Sequence, residues 1–413
     1  MALERLQTSP ITFLSNNPNT PCPMNATLFR SSLILCLVSS ACHAMGADAT
    51  PAADTSTTAP APAAASSAAA VPTGSTPARR GGRGPGGAPA TEAEKAAMAK
   101  LADLPTYASG LDDGDYSTGP NYTPAPEQTP RDNVPHGKVI KFTMDSTDSK
   151  FYSGISRTAP GTVVPYKRDV SVYVPAQYVP GQPLPVIVSA DAYGLSKNQL
   201  PNILDNMIAD KRLPVIGAIM IANGGGDGPG SERGLEYDTV SAKYAEFVEA
   251  EVLPRVEKET GITVSKNPDE RMTLGGSSGG AVALTMAWYH PEWYHRVVTY
   301  SGTYVNQQAG PDAPHGAWEY HAHFIPESPV KPLRLWLEAG EKDNGAATSA
   351  SGFHNWVIAN MNMATVLKAK GYHYQFVFAK GAGHTDRRTI EQTLPQALEY
   401  VWKGYPINGA TAK

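Results

Sequence analysis

The chain has 413 residues, 41% hydrophobic and 17% charged, with 34 basic and 38 acidic side chains for a formal charge of −4. That balance excludes the broad basic surface that nucleic-acid binding requires, and an 8% aromatic content excludes disorder throughout. A single apolar run near the N-terminus excludes a polytopic membrane protein.

That run belongs to a leader. From Met24, Arg30 supplies a charged start and Ser31–Ala41 an apolar core of about 11 residues, too short for the ~20 of a spanning helix. Small residues follow, with Ala44 a fitting last residue of a secretory signal peptide. Residues 1–23 lack signal character, which makes Met24 the expected start. Cys22, Cys36 and Cys42 all lie in or before this leader. Ser39-Ser-Ala-Cys42 resembles a lipoprotein cleavage site without its leading Leu, so the preferred reading discards Cys42 with the signal, and anchoring is the alternative. The expected location is outside the cytoplasmic membrane, periplasmic or extracellular.

Between Gly46 and Ala90, only Asp48, Asp54, Val71, Arg79, Arg80 and Arg83 are not Ala, Pro, Ser, Thr or Gly. One large aliphatic cannot support a core, so the segment reads as a tether. Thr91–Leu104 has the composition of a short helix, and five prolines between Pro120 and Pro135 argue against regular structure there. The expected organisation is a leader over 1–45, a linker over 46–131, one catalytic domain over 132–406 and a tail over 407–413.

Within that domain, β-rich runs occur at Lys138–Met144, Asp169–Val174, Leu184–Ser189, Val215–Ala222, Met272–Leu274, Val297–Tyr300, Leu333–Glu338 and Tyr374–Ala379. Stretches such as VIGAIMIA and LRLWLEA are apolar almost throughout, as strands buried on both faces are. Ser241–Glu259, with a kink at Pro254, Trp356–Lys370 and Thr389–Trp402 show helical spacing. Strands adjoin first and then alternate with helices. That pattern predicts an α/β fold, a mostly parallel sheet with helices on both faces and an antiparallel start.

Met272-Thr-Leu-Gly-Gly-Ser-Ser-Gly-Gly-Ala281 runs from a strand through a glycine-rich turn into a helix, the context of a G-x-S-x-G nucleophile elbow. Two registers fit, centred on Ser277 or Ser278. Ser277 is preferred because the strand then ends immediately before the turn, and Ser278 would lend its backbone N–H to an oxyanion hole. An acid at the end of a later strand and a histidine after a further one complete such a site. Asp343 follows LRLWLEAGEK and His384 follows YQFVFAKGAG, 66 and 41 residues along. His384 would take the Ser277 proton and Asp343 would hold the imidazole. Glu341 and Glu338 are rival acids in the same turn. The second oxyanion N–H is expected at Asp191 or Ala192, after the strand PVIVSA. Gly224–Tyr237 would line a cleft. There Arg233 meets a substrate or forms a salt bridge with Glu236 or Asp238, and Tyr237 lines the substrate. His315, His321 and His323 read as a cleft wall rather than a metal site, with Trp318 beside them against an aromatic or sugar-bearing substrate.

With LPVIVSADAYG, IANGGGDGPGSERGLEYD, LGGSSGG, LEAGEKDNG and GAGH in hand, the chain resembles the esterase family typified by enterochelin esterases, esterase D and feruloyl esterases, over residues 120–406. The resemblance implies an α/β-hydrolase fold without an elaborate lid, no cofactor, and a small-molecule or carbohydrate-linked ester as partner, with feruloyl, siderophore and sugar esters all open. It maps a G-x-S-x-G-G elbow onto Gly275–Gly280, which selects Ser277, the acid of a G-x-x-D turn onto Asp343, and a loop histidine onto His384. Asp191-Ala192 departs from the Asp-Gly of relatives, and Ala382-Gly383 from a pair of glycines. Two rival readings stand beside hydrolysis: acyl transfer to a sugar hydroxyl, and a tethered ligand-binding module without catalysis.

Overall fold

Nine strands make the central sheet of the computed structural model, which describes residues 87–159, 161–191, 200–228 and 230–407. In chain order the strands are β1 (Gly114–Thr118), β2 (Lys138–Asp145), β3 (Lys167–Val174), β4 (Pro183–Leu184), β5 (Val186–Ala190), β6 (Gly217–Ile221), β7 (Thr263–Val264), β8 (Arg271–Gly276), β9 (Arg296–Tyr300), β10 (Arg334–Lys342) and β11 (His373–Gly383). β4 and β7 form a separate two-stranded ladder, and the others are ordered β1-β11-β10-β9-β8-β5-β6-β3-β2. Only the β2–β3 and β3–β6 pairs are antiparallel. This is the α/β-hydrolase arrangement, with the antiparallel start that the adjoining early strands predict.

Every residue of β5, β6, β8 and β9 is buried, as expected of strands covered on both sides. On one face Val172, Val188, Leu335 and Leu337 pack with the helices Ser278–Tyr289 and Trp356–Lys370. On the other, Ile187, Met220, Val298 and Trp336 pack with Leu200–Ala209 and Arg387–Val401. From the β5–β8 pair the order runs β8, β9, β10, β11 one way and β5, β6 the other, and ligands of open α/β sheets bind at the carboxyl ends of strands where the order reverses in this way.

The expected helix over Ser241–Glu259 spans Lys243–Thr260 with a wide turn at Val248–Val252 just ahead of Pro254, whose missing N–H cannot close an ordinary turn. The linker boundary is corrected. Residues 87–131, read as part of a tether, are folded onto the sheet: β1 pairs in parallel with β11, and Ala90, Leu101 and Tyr107 are buried. The Tyr107 hydroxyl accepts from Trp336 Nε1 at 2.9 Å and lies 3.2 Å from Gln375 Oε1, which fastens the segment to β10 and β11. The leader and the tether up to residue 86 lie outside the described residues, as does the tail beyond residue 407. Among the described residues no helix is long and apolar enough to cross a membrane.

Candidate active site

β8 ends at Gly276, and the chain turns through Ser277 at φ 59°, ψ −130° before the helix Ser278–Tyr289 begins. A non-glycine residue at positive φ is strained and needs its surroundings to hold it. Here the Ser277 N–H donates to the Tyr300 carbonyl at 2.9 Å, and the Ser277 carbonyl accepts from Gly280, Ala281 and Thr303 at 2.9–3.1 Å. The turn also explains its glycines. A Cβ on Gly275 would stand 2.1 Å from the Gly279 carbonyl oxygen, and one on Gly280 3.2 Å from Gly302 Cα. Because backbone cannot yield as a flexible side chain does, Gly275→Ala is expected to cost roughly 3–5 kcal/mol and to drop the thermal melt by 10 °C or more. A melt within 2 °C of wild type would contradict this tight crossing.

The ends of β10 and β11 bring the other two residues together. Their register shifts between Gly340 and Lys342, so that Lys342 faces Gly383 and the next residues, Asp343 and His384, emerge side by side. His384 Nδ1 lies 2.5 Å from Asp343 Oδ1, and His384 Nε2 lies 2.8 Å from Ser277 Oγ. The Asp343 side chain is fully buried, while His384 keeps 21% exposure. Asp343 Oδ1 also accepts from the Asn344 N–H at 2.7 Å, and Thr385 N–H donates to Ser301 Oγ at 2.9 Å just beyond the histidine. Of the rival acids, Glu341 accepts from the Gly381 N–H at 2.6 Å at the exposed carboxyl end of β10. Glu338 is buried within β10, and burial, reinforced by Asp343, pushes its carboxyl well above the ordinary range.

Of the two expected second oxyanion donors, one is otherwise employed. Asp191 N–H donates to the Tyr237 hydroxyl at 3.0 Å and so is already engaged; Ala192 lies outside the described residues. Tyr237 is 1% exposed, so it supports the end of β5 rather than lining a substrate. Arg233 does form a salt bridge, but its partners are not Glu236 or Asp238. Its guanidinium grips Asp191 at 2.7 and 3.0 Å and Asp227 at 2.9 Å, because the helix Glu232–Tyr237 turns it toward β5. Glu236 is claimed instead by the buried Arg168. Asn223 Nδ2 adds a 2.6 Å bond to Asp191, whose Oδ2 stands 3.1 Å from where a Gly279 Cβ would be. Asp238 is buried nearby, and desolvation raises its carboxyl to about 7 against the opposing effects of the Ser278 hydroxyl and Arg233.

The histidine-rich stretch packs against its own aromatics and Phe353. Trp318 packs edge-on to His321 and Phe353 at 4.4 and 5.4 Å, and His315 stacks on Phe353 at 4.1 Å. His315 and His323 pair with Glu319 and Glu327 at 2.8 and 3.0 Å, and burial holds His321 down to about 4. Two residues near the centre escaped the sequence reading. Trp356 meets His384 edge-on at 5.9 Å, and its Nε1 donates to Thr303 Oγ1 at 3.2 Å. The available signal was positional: Thr303 follows the end of β9, as Ser277, Asp343 and His384 follow the ends of their strands.

The family model described as "Putative esterase" matches residues 162–401. The chain belongs to this family. It is a carboxylic ester hydrolase. Among solved structures, the esterase is similar to a ferulic acid esterase of the anaerobic fungus Anaeromyces mucronatus, at 13% identity over 68% of this chain and 96% of that one, with a TM-score of 0.49. An enterobactin esterase from Shigella flexneri shares 20% identity over 68% of this chain and 63% of its own, with a TM-score of 0.45. A feruloyl esterase module from Clostridium thermocellum shares 17% over 72% and 96%, with a TM-score of 0.42. No curated protein matches the chain.

Proposed function

We propose that this esterase is exported and hydrolyses carboxylic esters through a Ser277–His384–Asp343 triad and an acyl-enzyme. The observation that carries the reading is the unbroken relay of 2.8 and 2.5 Å from Ser277 Oγ through the imidazole to a buried carboxylate. Asp343 accepts a hydrogen bond from the Nδ1–H, which leaves the Nε2 lone pair facing the serine hydroxyl. His384 takes the hydroxyl proton as Oγ attacks the ester carbonyl carbon, and returns it to the departing alcohol. A water then repeats the sequence on the acyl-enzyme and releases the acid. The Ser278 N–H, in the first helical turn where no intrahelical carbonyl can take it, supports the oxyanion; the loop after Asp191 would give the second donor. Export rests on the leader at Met24–Ala44 and on the small-residue tether before residue 87.

The acyl group proposed is an aromatic or sugar-linked one, in keeping with the indole of Trp356 set edge-on to His384, with feruloyl, siderophore and sugar esters as candidates. Product analysis tests the reaction type. With an aryl ester and a large excess of a free sugar, free acid is the expected main product. A predominance of acylated sugar would replace hydrolysis by acyl transfer, and absence of any turnover by a folded protein would favour a binding module.

A further inference from the structure

Ser277 Oγ has a second polar neighbour besides the histidine: Thr303 Oγ1, at 3.4 Å. We propose that Thr303 is a fourth catalytic residue, a hydroxyl that donates its proton to Ser277 Oγ and supports that oxygen when it bears charge. The proposal rests on Ser277 being the nucleophile.

The direction of donation follows from counting protons. A carboxylate only accepts, so His384 Nδ1, 2.5 Å from Asp343, carries the imidazole proton and Nε2 is an acceptor. The Ser277 hydroxyl proton is therefore committed to Nε2, 2.8 Å away, and Oγ has only lone pairs to offer elsewhere. An indole N–H only donates, so Thr303 Oγ1 is the acceptor in its 3.2 Å bond to Trp356. Thr303 keeps its own proton free to give, and Ser277 Oγ stands within reach of it.

The hydroxyl is held in this place by the fold. The Thr303 N–H donates to the Ser277 carbonyl at 3.1 Å, which ties the turn after β9 to the elbow itself. Asn360 Nδ2 donates to the Gly302 carbonyl at 3.0 Å, and Trp356 sits at the start of its helix, capped by Asn355 through the Ile358 N–H at 3.0 Å. Thr303 is fully buried, so water does not compete for its proton. Two backbone-anchored elements thus fix both ends of the contact.

At 3.4 Å the bond is long in the resting site, as catalytic hydrogen bonds often are before the transition state. Its strength grows with charge on the acceptor. That happens when Ser277 gives up its proton to His384 during attack. It happens again in deacylation, where the C–Oγ bond of the tetrahedral intermediate breaks with its electron pair passing to Oγ. The His384 Nε2 proton then moves onto that oxygen and the acid departs. Thr303 retains its proton throughout and forms no covalent bond.

The test compares Thr303→Val, close to threonine in shape but without the hydroxyl, with Thr303→Ser, which keeps the hydroxyl and loses the methyl. With an activated aryl acetate, Thr303→Val is expected to lower kcat and kcat/KM about tenfold at unchanged KM. Thr303→Ser should stay within threefold of wild type. Trp356→Phe, which frees Thr303 from its donor, should fall between. Should Thr303→Val not fold, Thr303→Ala makes the same comparison with serine. Wild-type kcat in the valine variant, or equal impairment of valine and serine variants, would overturn the proposal. A Ser277→Ala protein assayed in parallel separates the two readings. If it remains active, the triad fails. If it is inactive while Thr303→Val is unimpaired, only the role of Thr303 fails.

Discussion

Ser277→Ala should lose about 10⁵–10⁶ in kcat against simple esters while melting within a few degrees of wild type. The loss is large because the nucleophile and its base act as a unit, and removing either forfeits the whole covalent route. The small structural effect follows from the backbone. The strained φ of 59° is imposed by hydrogen bonds to the Ser277 N–H and carbonyl, none of which involves the side chain. Ser278→Ala is the matched control, since only the backbone N–H of that residue enters the mechanism. It should keep activity within about tenfold. Inactivation by the change at 278 with retention by the change at 277 would move the elbow by one residue and separate the nucleophile from His384.

Asp343→Asn should lower kcat about 10⁴-fold with little change in KM. An amide in place of a carboxylate can turn its N–H₂ toward Nδ1, and the imidazole proton then moves to Nε2, where it blocks acceptance from Ser277. Glu341→Gln is the comparison, because the rival acid lies two residues away in the same turn. Its hydrogen bond to the Gly381 N–H is exposed and survives in an amide, so kcat should stay within threefold and the melt within a few degrees. Steady-state kinetics of the two variants decide which acid serves the histidine. A severe loss in Glu341→Gln with a mild one in Asp343→Asn would reassign it.

Much of this site is legible in the sequence because local signals mark it. β6 and the Leu335–Leu337 stretch of β10 are runs of buried apolar side chains, and the turns at the ends of β8, β10 and β11 are marked by glycine, whose absence of a Cβ the Gly275–Gly279 crossing demands. What stayed hidden is held by contacts with no local signature. β1, Gly-Asp-Tyr-Ser-Thr, has neither alternation nor an apolar run, and joins the sheet through backbone hydrogen bonds to β11, some 260 residues later. The helix Leu200–Ala209 carries Pro201, and Asn202, Asp205 and Asn206 interrupt its apolar residues, with Asp205 and Asn206 themselves on the buried face. The Arg233–Asp191 pair spans 42 residues, and several nearer acids competed for the arginine on paper. Thr303 belongs to no motif. Only the approach of two strand ends shows that its hydroxyl meets the nucleophile.

The most direct test of the central claim is reaction of the intact protein with a fluorophosphonate probe, followed by peptide mapping. Such probes capture a serine only where a base has activated it. The expected result is stoichiometric label on Ser277, abolished by His384→Ala and retained by Ser278→Ala. Label on Ser278, or a folded, ester-hydrolysing protein with no label at all, would contradict the account.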